Sequence, residues 1–258
     1  TGKITKKEMQ GIPHYLLDVV SPKRRFTVVQ YRKLVLKAIN KTLKKGKLPI
    51  LCGGTGFYIQ AVIDGIIIPE VKPDYILRSS LDKLETEDLF KRLKKLDLKR
   101  ARTIDKKNKR RLIRALEIVI KTEKPVPSLK KKPRGELHSY PVLMIGVKKE
   151  KKELEKLIEK RFLKWLRQGL LKEVKKLRKI GLSFKRIEEF GIHYRIAALY
   201  LQNKITYKKM IENSLKELKN YAKRQMTWFK RDKRIHWTPP TRHPYKYAEK
   251  LVKEFLGN

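Results

Sequence analysis

The sequence is short of acid. Among 258 residues, 26 are Asp or Glu and 67 are Lys or Arg, a formal net charge of +41. Cysteine is nearly absent: Cys52 stands alone, which excludes an intrachain disulfide and argues against a cysteine-based zinc site. No apolar run approaches the ~18 residues that a membrane-spanning helix needs. Residues 1–10 are polar and basic, with none of the apolar stretch of a signal peptide. These absences fit a reducing, cytoplasmic setting with no membrane. The first residue is Thr rather than Met, so the chain reads as a fragment.

What is present supports a folded protein. Hydrophobic residues make up 40% of the chain, too many for a disordered tail. The length suits one large domain or two small ones. The excess of positive charge fits a nucleic-acid partner, because a basic surface releases counterions from a phosphate backbone. It fits equally a habit of using Lys as a solvated surface residue, as runs such as 130–132 and 148–149 suggest.

Hydrophobic periodicity gives the organisation. Residues 14–20 (HYLLDVV) and 48–52 (LPILC) read as short strands, and residues 26–43 between them as an amphipathic helix. Gly53-Gly54-Thr55-Gly56 follows the second strand and opens a helix at residues 57–63. This order is that of a parallel α/β sheet. Residues 73–122 are charged and helical in period. Residues 123–141 hold four prolines and read as a loop, and residues 140–147 (YPVLMIGV) as another strand. The expected plan is an α/β core in two parts, 1–70 and 139–258, with a helical domain inserted at 71–138. In the second part, residues 151–177 read as one long helix. Helices near 194–201 and 207–229, a strand at 235–237 and a helix at 245–256 follow.

Three places could carry chemistry. The Gly53–Gly56 turn would let a ligand or another chain approach the backbone, with Thr55 offering a hydroxyl at a helix N-terminus; it could equally be a plain turn with Thr55 as cap. Residues 221–229 (YAKRQMTWF) would put Lys219, Lys223 and Met226 on one helix face and Tyr221, Arg224 and Trp228 on another. Cations beside planar rings suit phosphates and stacked bases, while an amphipathic helix with Tyr221 and Trp228 in the core explains the pattern as well. Arg110 and Arg114 could grip backbone phosphates, or Arg114 could pair with Glu117 as a surface contact. His14, His138, His193, His236 and His243 show no metal-ligand spacing. No G-x-x-x-x-G-K-(S/T) loop occurs in these residues.

Four segments in order resemble the tRNA dimethylallyltransferases, also called isopentenyl-tRNA transferases. Residues 11–18 (GIPHYLLD) are similar to the family's G-V-P-H-H-L-(I/L)-D, and LPI with GGTGFY at residues 48–58 to its P-(I/L)-(L/V)-V-G-G-T-G-L-Y. Residues 111–117 (RLIRALE) resemble its R-(L/V)-x-R-A-L-E, and residues 221–229 its Y-A-K-R-Q-x-T-W-F. The resemblance implies a P-loop NTPase-like parallel sheet core with an inserted helical domain. It implies transfer of a dimethylallyl group from dimethylallyl diphosphate to N6 of an adenine beside the tRNA anticodon (position 37), with Mg2+ assisting the diphosphate. The implied partners are the anticodon stem-loop of tRNA and dimethylallyl diphosphate, with the protein acting as a monomer. Thr55 would line the channel near the flipped adenine. Arg78, Arg110, Arg111, Arg114, Tyr194 and Arg195 would contact tRNA, and Lys219, Lys223 and Arg224 the diphosphate.

The sequence departs from the family pattern. The family's G-P-T-x-(S/T)-G-K-(S/T) loop and its D-S-(R/M)-Q segment, which supplies the general base, are not found here, and residues 1–5 resemble the G-T-(A/G)-K-x-T that follows them. The expectation is therefore a chain lacking its first strand, phosphate loop and base, with little or no activity of its own. A catalytically inactive tRNA-binding protein is the alternative. Lys219 stands where the family has an Arg thought to touch the diphosphate, keeping the charge but not the bidentate fork, and His193 where it often has Gly.

Overall fold

Local capping sets where most helices of this computed structural model begin. The structure describes residues 2–66, 69, 71–127, 140–240 and 244–257. Lys130–Lys132, His138, His243 and most of the proline-containing loop lie outside the described residues. Thr5 and Glu8 form a capping box at α1 (Lys6–Met9), and Thr27 and Gln30 another at α2 (Val28–Leu43). α3 (Gly56–Ile63) follows the glycine turn. Asp74 caps α4 (Tyr75–Asp82); α5 (Thr86–Leu96), α6 (Leu98–Thr103) and α7 (Lys109–Thr122) follow, the last capped by Asn108. Then come β1 (Met144–Gly146), α8 (Lys151–Arg167), α9 (Leu170–Lys179), α10 (Phe184–Glu188) and α11 (Ile192–Leu201). Thr206 caps α12 (Tyr207–Phe229), and β2 (Ile235–Trp237) and α13 (Pro244–Leu256) complete the order.

The chain divides into two compact units. One comprises Thr1–Ile59 and Tyr140–Asn258, the other Gln60–Ser139. The second unit is helical. Leu81, Leu89, Leu93, Leu112 and Leu116 pack into one core, each at most 3% exposed. Asp97 braces it by accepting from the Arg100 amide at 2.8 Å and the Val126 amide at 2.7 Å. The first unit has its own core, in which Phe162, Leu170, Val174, Ile187 and Ala198 gather side chains from α8 to α12.

The sheet is smaller than expected. β1 and β2 pair in parallel, with Met144 opposite Ile235 and Gly146 opposite Trp237. Buried Thr238 continues the pairing, donating its amide to the Gly146 carbonyl at 2.9 Å. Neither residues 14–20 nor residues 48–52 form a strand. In the first, Leu16 (φ 63°) and Asp18 (φ 53°) take left-handed backbone, which breaks the pleat. Beside the second, no described segment supplies a ladder; Ile50 is 83% exposed. The expected strand at 140–147 shortens to β1.

The expected long helix at 151–177 is also interrupted. Gly169 at φ +100° separates α8 from α9, a backbone conformation that glycine adopts without cost. The new helix direction lets Leu170 and Val174 reach full burial.

Candidate functional site

The glycine turn is held by the helix that carries the aromatic-basic motif. Gln225 on α12 donates its side-chain amide to the Gly54 carbonyl at 2.9 Å. Trp228, one turn further on, lies against Gly56. A Cβ on Gly54 would sit 2.0 Å from Gln225 Nε2, and one on Gly56 would sit 2.2 Å from Trp228 Cδ1. Close approach and not backbone angle therefore favours glycine here, most strictly at Gly56 against the rigid indole, since Gln225 can move at Gly54. A Cβ on Gly53 would meet nothing within 4 Å, so the turn has one face covered by α12 and one open. Exposed Thr55 stands between them. Its carbonyl accepts from Tyr58 at 2.9 Å and Ile59 at 3.1 Å, starting α3.

The chain's own α12 approaches the glycines, and Tyr221 and Trp228, each 37% exposed, are not the core residues of the amphipathic-helix alternative. Tyr58, on α3, stacks on Tyr31 of α2 with ring centroids 4.4 Å apart. Burial raises both phenols above their ordinary pKa.

The cations of α12 divide by face. Helical spacing puts Arg224 about 40° from Trp228 and Lys219 and Lys223 about 120–160° from Gln225. The Arg224 guanidinium lies 5.8 Å from the Tyr221 ring centre. Lys219 is paired with Glu155 at 3.1 Å, whereas Lys223 is exposed. Of the three, Arg224 lies nearest to Trp228 in helical angle.

In the helical unit, the arginines point inward to an acid that the sequence reading gave only a surface role. Glu117 is fully buried. Arg78 donates to it through Nε at 2.8 Å and Nη2 at 2.7 Å, a bidentate fork. The Asp74 amide donates at 2.7 Å, and Arg114 adds a further bond while its Nη2 donates to the Val71 carbonyl at 3.0 Å. Burial alone would raise the Glu117 carboxyl, but the bonds from Arg78, Asp74 and Arg114 outweigh it and hold the pKa below the ordinary value. The signal was present in the sequence: Glu117 interrupts a run of otherwise apolar buried residues on α7. Arg110 and Arg111 are exposed, with no ion pair among the described residues.

Tyr194 and Arg195 are tied within the first unit. The Tyr194 hydroxyl donates to Glu173 at 2.9 Å, and Arg195 pairs with Glu217. His193 lies 4.9 Å from the Trp165 ring and 4.6 Å from that of Tyr194. Burial pushes its imidazole below the ordinary value, with Glu173 opposing the shift and Arg161 adding to it. Among the described residues, no group of three or more His, Cys, Asp or Glu side chains could hold a metal ion. Among the described residues, no helix is long and apolar enough to cross a membrane.

Comparison with known proteins matches the family model described as IPP transferase to residues 1–232. The chain is 34% identical over 257 residues to the tRNA dimethylallyltransferase of Acetivibrio thermocellus, covering 98% of this chain and 82% of that protein. It is 37% identical over 238 residues to that of Anoxybacillus flavithermus, covering 92% and 76%. Among solved structures, it is similar to the full-length tRNA isopentenylpyrophosphate transferase of Bacillus halodurans, with 31% identity, a TM-score of 0.67, and coverage of 99% of this chain and 80% of that one. A eukaryotic dimethylallyltransferase acting on tRNA shares the fold, with a TM-score of 0.79 at 21% identity and coverage of 99% and 68%.

Proposed function

The chain belongs to the IPP transferase family, and from that premise we propose that its site transfers a dimethylallyl group from dimethylallyl diphosphate to N6 of the adenine at position 37 of tRNA. The observation that carries this reading is the junction of two distant motifs: Gln225 and Trp228 close on Gly54 and Gly56 and leave Thr55 and Gly53 exposed. In the reaction, a C–O bond to diphosphate breaks, a C–N6 bond forms and N6 loses a proton. Negative charge gathers on the departing diphosphate. Preorganised donors must meet it.

We assign Thr55 to the target adenine, on a turn that Gln225 and Trp228 hold from one side. Arg224 meets the diphosphate, with Lys223 and Lys219 adding positive charge around it. Arg110 and Arg111 contact tRNA backbone, as do the outer edges of Arg78, Arg114, Tyr194 and Arg195. The segment 71–138 acts as the tRNA-binding insertion in a P-loop-like core. The working form is a monomer in the cytoplasm. Mg2+ keeps several waters and binds largely through substrate phosphates. The described residues build no cage for it, so it would arrive with the diphosphate, and no step is assigned to a protein-held metal.

The test is a single-turnover reaction with the protein in excess over tRNA, read by mass spectrometry of the nucleosides. Formation of N6-dimethylallyl adenosine, lowered at least tenfold by Thr55→Ala with tRNA affinity retained, supports the assignment. Equal product from the variant refutes the role of Thr55. Tight tRNA binding with no product and no diphosphate binding would identify a tRNA-binding protein without catalysis.

A further inference from the structure

Acid is distributed unevenly along this basic chain. Between Asp18 and Asp64 there are 45 residues with ten Lys or Arg and no Asp or Glu. α2 lies at the centre of this stretch. Lys33, Lys37, Lys41 and Lys44 follow one another at steps of four, four and three, so they share one face over ~16 Å of helix. All four are exposed, whereas Val35 and Leu36 on the other side are buried. Lys37, Asn40, Lys41, Lys44 and Lys45 line a shallow open concavity.

Two ordinary explanations fall short. A helix dipole favours cations only in the last turn; it accounts for Lys41 and Lys44 but not for Lys33 and Lys37. General lysine-richness predicts lysines interspersed with acids. That is the pattern on other helices of the chain, where Lys253 pairs with Glu249, Lys250 with Glu254 and Lys91 with Glu87. Among the described residues, none of the four α2 lysines has an acidic partner. Four like charges on one face repel one another by a few tenths of a kcal/mol per neighbouring pair, a cost that a polyanion would remove. The Tyr31–Tyr58 stack fixes α2 against α3 and hence beside the glycine turn.

We infer that the lysine face of α2 is an RNA-backbone contact, outside the site that reads the target base, and that it holds phosphates of the tRNA while the adenine is engaged. The inference rests on the tRNA reading above. A tRNA fits better than an acidic protein because the surface is a row of flexible point charges without the apolar anchors that mark protein interfaces. Lysine rows of this kind read phosphates without sequence preference.

The experiment is a titration of the full chain with a tRNA transcript carrying adenine beside the anticodon, repeated over a series of KCl concentrations. Wild type is compared with K33Q/K37Q/K41Q/K44Q and with K149Q/K164Q/K250Q/K253Q, which loses the same charge from lysines paired with glutamates. Circular dichroism confirms that both variants fold. The α2 variant is expected to bind at least tenfold more weakly, on the order of what losing several phosphate contacts costs. The slope of log affinity against log salt should fall by about 2 to 4. The control variant should stay near wild type. Equal slopes for the two variants overturn the inference while leaving tRNA binding intact. Failure of wild type to bind the transcript would overturn the tRNA reading and this surface with it. Tighter binding of polyglutamate, or of phosphatidylcholine vesicles doped with phosphatidylserine, lost only in the α2 variant, would assign the face to another partner and refute the RNA contact.

Discussion

The helical unit Gln60–Ser139 and the glycine-turn region of the other unit use the same residue types to opposite ends. In the helical unit, two arginines converge on a buried carboxylate, and leucines from α4, α5 and α7 fill the space around them. Around the turn, few groups are satisfied from within: Gly53 faces open space, Thr55 is exposed, and Ile50 and Leu48 stand in solvent. The first arrangement is closed and maximises packing. The second gives up packing and keeps backbone and a hydroxyl accessible, held at one side by Gln225 and Trp228. Stability and chemistry are thus expected to respond to different substitutions.

The largest expected effect is in the closed region. Glu117→Ala leaves two guanidiniums without their anion, and since their outer edges reach water the loss should be about 3 kcal/mol, the low end for a broken buried pair. Thermal unfolding monitored by hydrogen exchange on α4 and α7 would show it. A loss below about 1 kcal/mol would mean that Glu117 is not the hub. Next comes Gly56→Ala, where the added methyl meets the rigid indole of Trp228. About 2 kcal/mol of local strain and at least a tenfold fall in single-turnover rate are expected. Gly54→Ala should be milder, because Gln225 can swing aside. If the two alanines behave alike, the rigid contact at Gly56 is not what matters.

A third effect separates the helical unit from the α8–α12 core of the other unit by pH. His193 has a depressed pKa in the folded state, so below its ordinary value of about 6.5 the unfolded chain takes up the proton first. Stability then falls with falling pH, by up to ~1.4 kcal/mol per pH unit, until the folded pKa is reached. His193→Phe should flatten that window. Glu117 also has a lowered pKa, but its contribution is present above about 4.5 and lost below it. Denaturant midpoints between pH 4 and 7 distinguish the two windows; a single acid transition unaffected by His193→Phe would contradict the assignment. The smallest effect is that of Gln225→Ala, about 1 kcal/mol for one hydrogen bond, with a larger change in rate than in melting temperature if the bond positions the turn.

Much of this was legible in the sequence where local rules suffice. The 3.6-residue periodicity located α2, α7 and α12, and four ordered motifs pointed to the family. What failed depended on distant partners. Residues 14–20 have strand composition, but left-handed Leu16 and Asp18 break the extended backbone. Residues 48–52 lack a neighbouring strand among the described residues. The clamp on the turn joins Gly54 to Gln225 across 171 positions, a distance no spacing rule covers. Glu117 was visible as an acid in an apolar run, yet its burial follows only from how α4 packs on α7.

The most direct measurement is hydrogen exchange on the full chain with and without an anticodon stem-loop RNA carrying the target adenine. If the clamped turn is where the base is received, amides at residues 53–59 and 221–229 should gain protection together, and Gly56→Ala should abolish that joint gain while RNA still binds through the basic surfaces. Bound RNA with no protection in either segment would contradict it.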